Sequence, residues 1–598
     1  MGANTDVSIE RALWNVQQGR HRESIKAVMG TLLAVGASAY SPPAPATETE
    51  ENPEGRHADL VIVNARIWTG VGPTADSGAP AEPTALAVVG DKLVAVGDDA
   101  AIRAWIKERT QVIDAGGRRV IPGITDSHTH IVSGGFQLAR LNLRDVGSRR
   151  EFVQAVAAEA KANKKGQWVL GGRWSVESWD KPETPNKSWL DPVTRDIPVL
   201  LRRMDGHSAL ANSAALRLAG IDASGPPDPK GGEIQRDPNT GEPTGILKES
   251  AMELVGRLIP DPTPDENYEA LRRAMKHANS LGVTSIHNMS SRAELEAFRR
   301  AEREGTLTVR ITAYLSVSDW ASNIDKIPGY GLDSDMVRLA GFKGFMDGSL
   351  GSRTAYMRKP YNDAAPETPY PRGQLTAMAD PPESFQQNAA LADSRGLQLA
   401  VHAIGDEANH LLLDAYEYAG KRSGRRDARH RLEHAQHLHV TDIPRFAKLG
   451  VVASMQPFHK ADDGRYAEDR LGKKRLEGSY AFRQLVDAGA LVIFGSDWPV
   501  VTLNPFAGID SAVNAKTLAG QMWLPSHSLT VDEALRAYTV SPPKAINRDE
   551  RLGTIEVGKY ADIVILSEDP LTIPKERLAE VRVAQTIVGG KVVFDRSE

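Results

Sequence analysis

Between residues 120 and 496, short β-rich runs alternate with helix-patterned stretches, and no other feature limits the possible folds as strongly. Strand-like segments occupy 120–126, 282–288, 308–316, 337–346, 397–402, 429–434, 450–456 and 491–496. Helical patterns such as RAELEAFRRAEREG (292–305) and DIPRFAKLG (442–450) lie between most of them. Strand, helix, strand repeats imply a parallel sheet, because parallel neighbours need a long crossover. Eight such units suggest ring closure, so the expected class is α/β with a (β/α)8 TIM-like barrel over residues 120–545. About 150 residues separate the first two strands, far more than one crossover uses. That stretch has strands of its own, WVLGGRW and PVLLRRMD, and predicts an insertion subdomain at about 136–281 over one mouth of the barrel.

The flanks have another texture. ADLVIVNARIWTG, ALAVVGDKLVAVGDD and QVIDAGGRRVIPG near the start, and YADIVILSEDP and VRVAQTIVGGKVVFD near the end, are short β-rich runs broken by Gly and Asp. Both read as antiparallel sheet. The economical arrangement is one small β-sandwich domain built from residues 58–119 and 546–598, with the barrel inserted between them. Residues 25–39, IKAVMGTLLAVGASA, have Arg20, Arg22 and Lys26 at their head and a small-residue exit, which resembles an export signal. The run is too short to span a membrane. Residues 41–57 read as a linker, so residues 1–57 are expected outside the folded domains. A secreted or periplasmic location is favoured over a cytoplasmic one with a disordered N-terminus.

Composition removes several functions. No cysteine is present, which excludes disulfides, thiolate metal sites and cysteine nucleophiles. Lys and Arg total 72 against 77 Asp and Glu, so no basic excess exists to bind nucleic acid. The expected partner is a small-molecule substrate, with a homo-oligomer left open.

Catalytic groups of such barrels sit at the C-terminal ends of strands. The first strand ends ITDSHTHI, where His128 and His130 are two apart and share a face. The fourth reads GFKGFMDGSLGSRTA, putting Lys343, Phe345 and Asp347 on one face. A carbamate formed from Lys343 and carbon dioxide could bridge two cations, but on the strand alone a Lys343–Asp347 pair is the simpler reading. The fifth strand ends in His402. The sixth, RHRLEHAQ, places His430, Leu432 and His434 on one face by alternation, with His434 at the tip. Asp497 follows the apolar eighth strand, where an unpaired carboxylate is costly. Four His, one Lys and one Asp thus converge on one mouth.

From IPGITDSHTH, GFKGFMDGSLGSRTA, VHAIGD, RLEHAQ, GSDWPV and LGTIEVGKYADIVIL, residues 58–598 resemble the amidohydrolase superfamily. The similarity is to amidohydrolase family 3, in the branch of N-substituted formamide deformylase-like enzymes. The resemblance implies two divalent metal ions, most often zinc. His128 and His130 would hold the more buried ion, and His402 and His434 the more exposed one. Lys343, carboxylated by carbon dioxide, would bridge them, and Asp497 would bind the buried ion and move protons. It also implies substrate contact for His207, in MDGHSALANSAAL, and for Arg353. Trp174, Tyr356, His287 at the end of the second strand, and His459 after QPF are further pocket candidates, while Glu249 reads as a helix-surface charge. The function so implied is hydrolysis of a non-peptide amide or formamide-like C–N bond by metal-activated hydroxide. The same site would serve a cyclic amide, a carbamate, an ester or a deamination, and a non-catalytic binding protein of the same fold is the alternative outside enzymes.

Overall fold

A computed structural model of the chain describes residues 57–72 and 82–597, except 164–165, 175, 177–178, 180, 182, 204–207, 230–231, 365, 367 and 426. The segment read as an export signal therefore lies outside the described residues, as does His207.

Eight parallel strands form the central sheet in chain order: β1 (Ile124–Thr129), β2 (Val283–Ser290), β3 (Arg310–Ser316), β4 (Val337–Phe345), β5 (Gln398–Ala403), β6 (Arg431–His434), β7 (Val452–Met455) and β8 (Val492–Phe494). The ring closes just beyond β8. The Asp497 N–H donates to the His128 carbonyl at 2.7 Å, and the His130 N–H donates to the Trp498 carbonyl at 2.8 Å. The fold is thus a mixed α/β structure around a TIM-like barrel.

The surrounding helices show why these sequences wind as they do. Pro264–Ser280 starts on a Thr263–Glu266 capping box with proline in the first turn, and buries Tyr268, Leu271, Met275 and Ala278. Arg292–Arg303 starts on a Ser291–Glu294 box and turns Leu295, Phe298 and Ala301 inward. Those side chains join the strands' outward residues, among them Ile286, Phe342, Leu399 and Leu432, in one large core.

The expected first strand, 120–126, is two strands. Arg119–Pro122 pairs antiparallel with Ile563–Leu566 in a five-stranded sheet, and only after Gly123 does the chain enter the barrel. Glycine is required at the junction: a Cβ at Gly123 would lie 2.1 Å from Thr284 Oγ1. That sheet contains Arg66–Ile67 and Arg119–Pro122 from one flank and Ile563–Leu566, Val583–Val588 and Lys591–Asp595 from the other. A four-stranded sheet of Lys92–Gly97, Ala85–Val89, Leu60–Val63 and Gln111–Asp114 shares with it a buried aliphatic cluster that includes Ile62, Val88, Ile113, Val120 and Ile563. Neither sheet is wholly antiparallel as expected. Leu60–Val63 runs parallel to Gln111–Asp114, and Arg66–Ile67 parallel to Arg119–Pro122, because the segment between them carries the chain back to the same end.

Between β1 and β2 lies a six-stranded sheet, ordered Gly232–Arg236, Pro243–Glu249, Ser208–Ala211, Val199–Arg203, Val169–Trp174 and Leu141–Asn142. Glu249 ends one of these strands and is not on a helix. Trp174 does not reach a substrate pocket. It is buried with Phe152, Trp179 and Trp189 in the core of this sheet, and its indole N–H donates to the Leu201 carbonyl at 2.9 Å.

Candidate metal centre

Inside the barrel, the layer beneath the mouth is polar where branched aliphatics usually sit. Arg431 and Glu433 project inward from β6 and are fully buried. Arg431 Nε donates to Glu433 Oε1 at 2.7 Å, its Nη1 lies 2.7 Å from His287 Nδ1, and its Nη2 donates to Ser454 Oγ at 3.0 Å. Burial opposes ionisation of Glu433, but the adjacent Arg431 and His128 outweigh it and hold the carboxyl far below the usual range.

Above this layer opens a cavity of about 380 Å³, lined by His128, His130, Lys343, His402, His434 and Asp497 among others. His128 is anchored from below: its Nδ1 lies 2.5 Å from Glu433 Oε2. The carboxylate fixes the proton on Nδ1 and leaves the Nε2 lone pair facing the cavity, 3.5 Å from Asp497 Oδ1. Burial and then Lys343 push the His128 imidazole down to about 4, so it is neutral. His434 is oriented in the same way by Gln456 Oε1, 2.7 Å from its Nδ1, and burial holds it neutral as well. His130 Nε2 stands 3.3 Å from Asp497 Oδ1. Burial disfavours the Asp497 carboxylate, yet the imidazoles around it, His130 among them by a hydrogen bond, hold it well below the ordinary range. His402 is turned onto the loop after β4, with Nε2 2.9 Å from the Gly348 carbonyl.

Lys343 is buried, and its Nζ lies 3.3 Å from His128 Nε2. The simpler reading, a Lys343–Asp347 pair, does not hold. Asp347 accepts backbone N–H groups of Tyr356 (2.8 Å), Ile404 (3.0 Å) and Gly405 (2.8 Å), which tie the β4 loop to the end of β5. No carboxylate within ion-pair distance neutralises Lys343 among the described residues, and burial pushes its amine down to about 8.

The alternation expected for β6 fails at its end. His430 and Leu432 face the outer helices, with His430 Nε2 3.2 Å from Asp393 and its ring against Tyr416. His434 would follow them outward, but its left-handed backbone, φ 76°, swings the side chain into the mouth. Asp497 has φ 61° at the end of β8. Non-glycine residues held there cost of order 1–3 kcal/mol and cluster at functional sites. His287 belongs to the layer below the cavity, against Arg431. Arg353 is bound by both oxygens of Asp363, at 3.1 and 2.8 Å, and Tyr356 lies beneath the Arg372 guanidinium; neither lines the cavity. His459 does line it, stacked on His434 at 6.2 Å. Glu433, Arg431 and Gln456 were not expected. The R-x-E pattern of RLEH is the signal for Arg431 and Glu433 once the inward face is assigned to them; nothing comparable marks Gln456.

The donor set fits a metal. Ligand atoms of His128, His434 and Asp497 all come within 4.8 Å of one another. They comprise neutral imidazoles and an ionised carboxylate, with the imidazoles oriented from behind by oxygen acceptors, the arrangement usual for metal-ligating histidines.

Comparison with known proteins agrees with this geometry. The chain matches the amidohydrolase family over residues 111–594. It is 38% identical to Protein LONG AFTER FAR-RED 3 of Arabidopsis thaliana, over 91% of this chain and 92% of that one. It is 28% identical to N-substituted formamide deformylase of Arthrobacter pascens, over 90% and 99%. An uncharacterised metal-dependent hydrolase of Pyrococcus horikoshii superposes with a TM-score of 0.69 at 29% identity, covering 86% of this chain and 99% of that one. The chain therefore belongs to the amidohydrolase family. It is an enzyme of that class, a hydrolase of carbon–nitrogen bonds in small molecules. No helix among the described residues is long and apolar enough to cross a membrane.

Proposed function

We propose that this enzyme hydrolyses a linear amide or formamide-like C–N bond, releasing an amine and a carboxylic acid, with two divalent ions in the barrel mouth. The observation that carries the reading is the convergence of His128, His434 and Asp497 within 4.8 Å, with Lys343 Nζ 3.3 Å from His128 Nε2. His128, His130, His402, His434 and Asp497 would hold the ions together with Lys343 as its carbamate, and zinc suits such imidazole and oxygen donors. Bound there, divalent ions polarise a carbonyl and bring the pKa of water near neutrality. The similarity to N-substituted formamide deformylase favours a linear substrate.

The chain's own residues divide the remaining work. Asp497 is ionised and faces the cavity, so it can take a proton from the attacking water and return it to the leaving nitrogen. Without that proton an amine leaves poorly. Lys343, as its carbamate, would supply an anionic oxygen donor to the ions. A free ammonium beside two cations would be repelled by several kcal/mol at an effective dielectric of about 20. Its neutral amine can add carbon dioxide, forming an N–C bond and releasing a proton, and the product is an anionic oxygen donor. Phe345, Leu350 and Ile404 give part of the cavity an apolar wall suited to a substrate's carbon skeleton.

The test is a panel of N-formyl and N-acyl amines incubated with zinc-supplemented protein, with products identified by mass. Release of amine plus acid supports the reading. A metal-loaded protein that leaves every member intact, or hydrolyses only cyclic amides or esters, overturns it.

A further inference from the structure

A second cavity, about 870 Å³, lies between the six-stranded sheet and the helices that flank β1 and β2, and shares no lining residue with the metal cavity. Arg140, Arg173 and Arg202 line it. Among the described residues none of the three guanidinium groups has an ion-pair or hydrogen-bond partner. Arg140 only lies over the Phe136 ring, at 5.6 Å.

The backbone brings these charges together at a cost. Gly171 and Gly172, at φ 129° and 119°, let their strand close on both neighbours: a Cβ at either would sit 2.2 Å from the Leu141 carbonyl oxygen or 2.1 Å from that of Arg202. Leu141 pairs with Gly171 and Gly172 with Arg202, so Arg140, just before the first of these strands, comes beside Arg173 and Arg202 on the next two. Arg173 itself holds a left-handed φ of 62°. Burial and then Arg202 lower the proton affinity of Arg140, and burial and then Arg144 lower that of Arg173. Two acids share the wall without neutralising this cluster. Glu294 accepts the Ser291 N–H at 3.0 Å as part of its helix cap, and Asp261 is exposed on the rim. The rest of the wall includes apolar Val132, Phe136, Leu138 and Pro499.

We propose that this cavity binds an organic oxyanion, a carboxylate or phosphate monoester joined to a short apolar body. Guanidinium forks match both headgroups, and Phe136 and Leu138 offer the body its contact.

Calorimetric titration of the full chain with hexanoate, hexyl phosphate, inorganic phosphate and hexylammonium tests it, with and without prior chelation of metal. Hexanoate or hexyl phosphate should bind one site, and the tighter of the two identifies the headgroup. Affinity should fall about tenfold or more in R140Q and in R202Q, the loss of one charge-assisted contact, and partly return in R202K. Neither guanidinium has an ion-pair or hydrogen-bond partner to lose among the described residues, so these variants should unfold at the wild-type midpoint. Four results would each overturn the proposal: no binding of either hexyl anion, equal binding by inorganic phosphate or hexylammonium, affinity unchanged in both glutamine variants, or binding abolished by chelation, which would place the anion on the metals.

Discussion

Glu433 and His128 are locked together in the floor of the site, with Oε2 2.5 Å from Nδ1 and neither side chain in contact with solvent. The carboxylate decides which ring nitrogen carries the proton, and so which one is free to ligate. Glu433→Gln should therefore weaken metal binding about 10–100-fold. It should also destabilise the fold by about 3 kcal/mol, because Arg431 loses its buried counter-charge. Zinc titration against a competing chelator and urea unfolding measure the two effects, and unchanged affinity would remove Glu433 from the site.

Lys343→Ala should lose bound metal and activity together, with a small added carboxylic acid restoring part of both. Lys343→Arg should be inactive, since arginine keeps its charge and cannot form the carbamate. A fully metallated, active arginine variant would move the bridge elsewhere.

Arg310 at the start of β3 grips Asp562, just before the strand Ile563–Leu566 of the five-stranded sheet, through two hydrogen bonds, at 2.7 and 2.9 Å, both groups buried. Asp562→Ala strands that guanidinium and should cost about 3–5 kcal/mol in unfolding free energy while leaving the metal stoichiometry unchanged. A loss below about 1 kcal/mol would mean that water replaces the carboxylate there.

Glu533 caps the helix Val531–Tyr538 and takes both Arg483 nitrogens, at 2.9 and 2.7 Å. The Arg483 hydrogen bonds hold its carboxyl at about 2, against an ordinary 4.5. Between those values the unfolded chain binds more protons, so stability rises with pH. The contribution is complete above about pH 4.5 and is lost as pH falls through about 2. Wild type should exceed Glu533→Gln by about 1 kcal/mol at pH 7, and urea unfolding between pH 6 and 3 should show the gap narrowing. A gap that stays constant to pH 3 would assign it to something other than this pair.

The barrel strands could be read from sequence because most are short β-rich runs separated by helix-patterned stretches, and the His128–His130 pair because both histidines lie at the tip of β1, two residues apart. What escaped depends on single backbone angles and on steric contacts made far along the chain. Alternation placed His430 with His434, and one left-handed residue separates them. The segment 120–126 reads as one strand until Thr284, some 160 residues later, leaves no room for a side chain at 123. Trp174 reads as pocket lining from sequence because an aromatic at the end of the WVLGGRW strand carries no sign of which side of its sheet is covered.

Arg119–Pro122 has its partner strand in Ile563–Leu566, about 440 residues further along. A ribosome adding roughly 5–20 residues per second delivers that partner about 20–90 s later. For all that time one edge of Arg119–Pro122 can pair only with Arg66–Ile67, already made, while the other edge waits for its partner and the barrel is still emerging. Val120 and Ile121 are completely buried in the finished protein, so the cover over these two side chains cannot be completed until Ile563–Leu566 has been made.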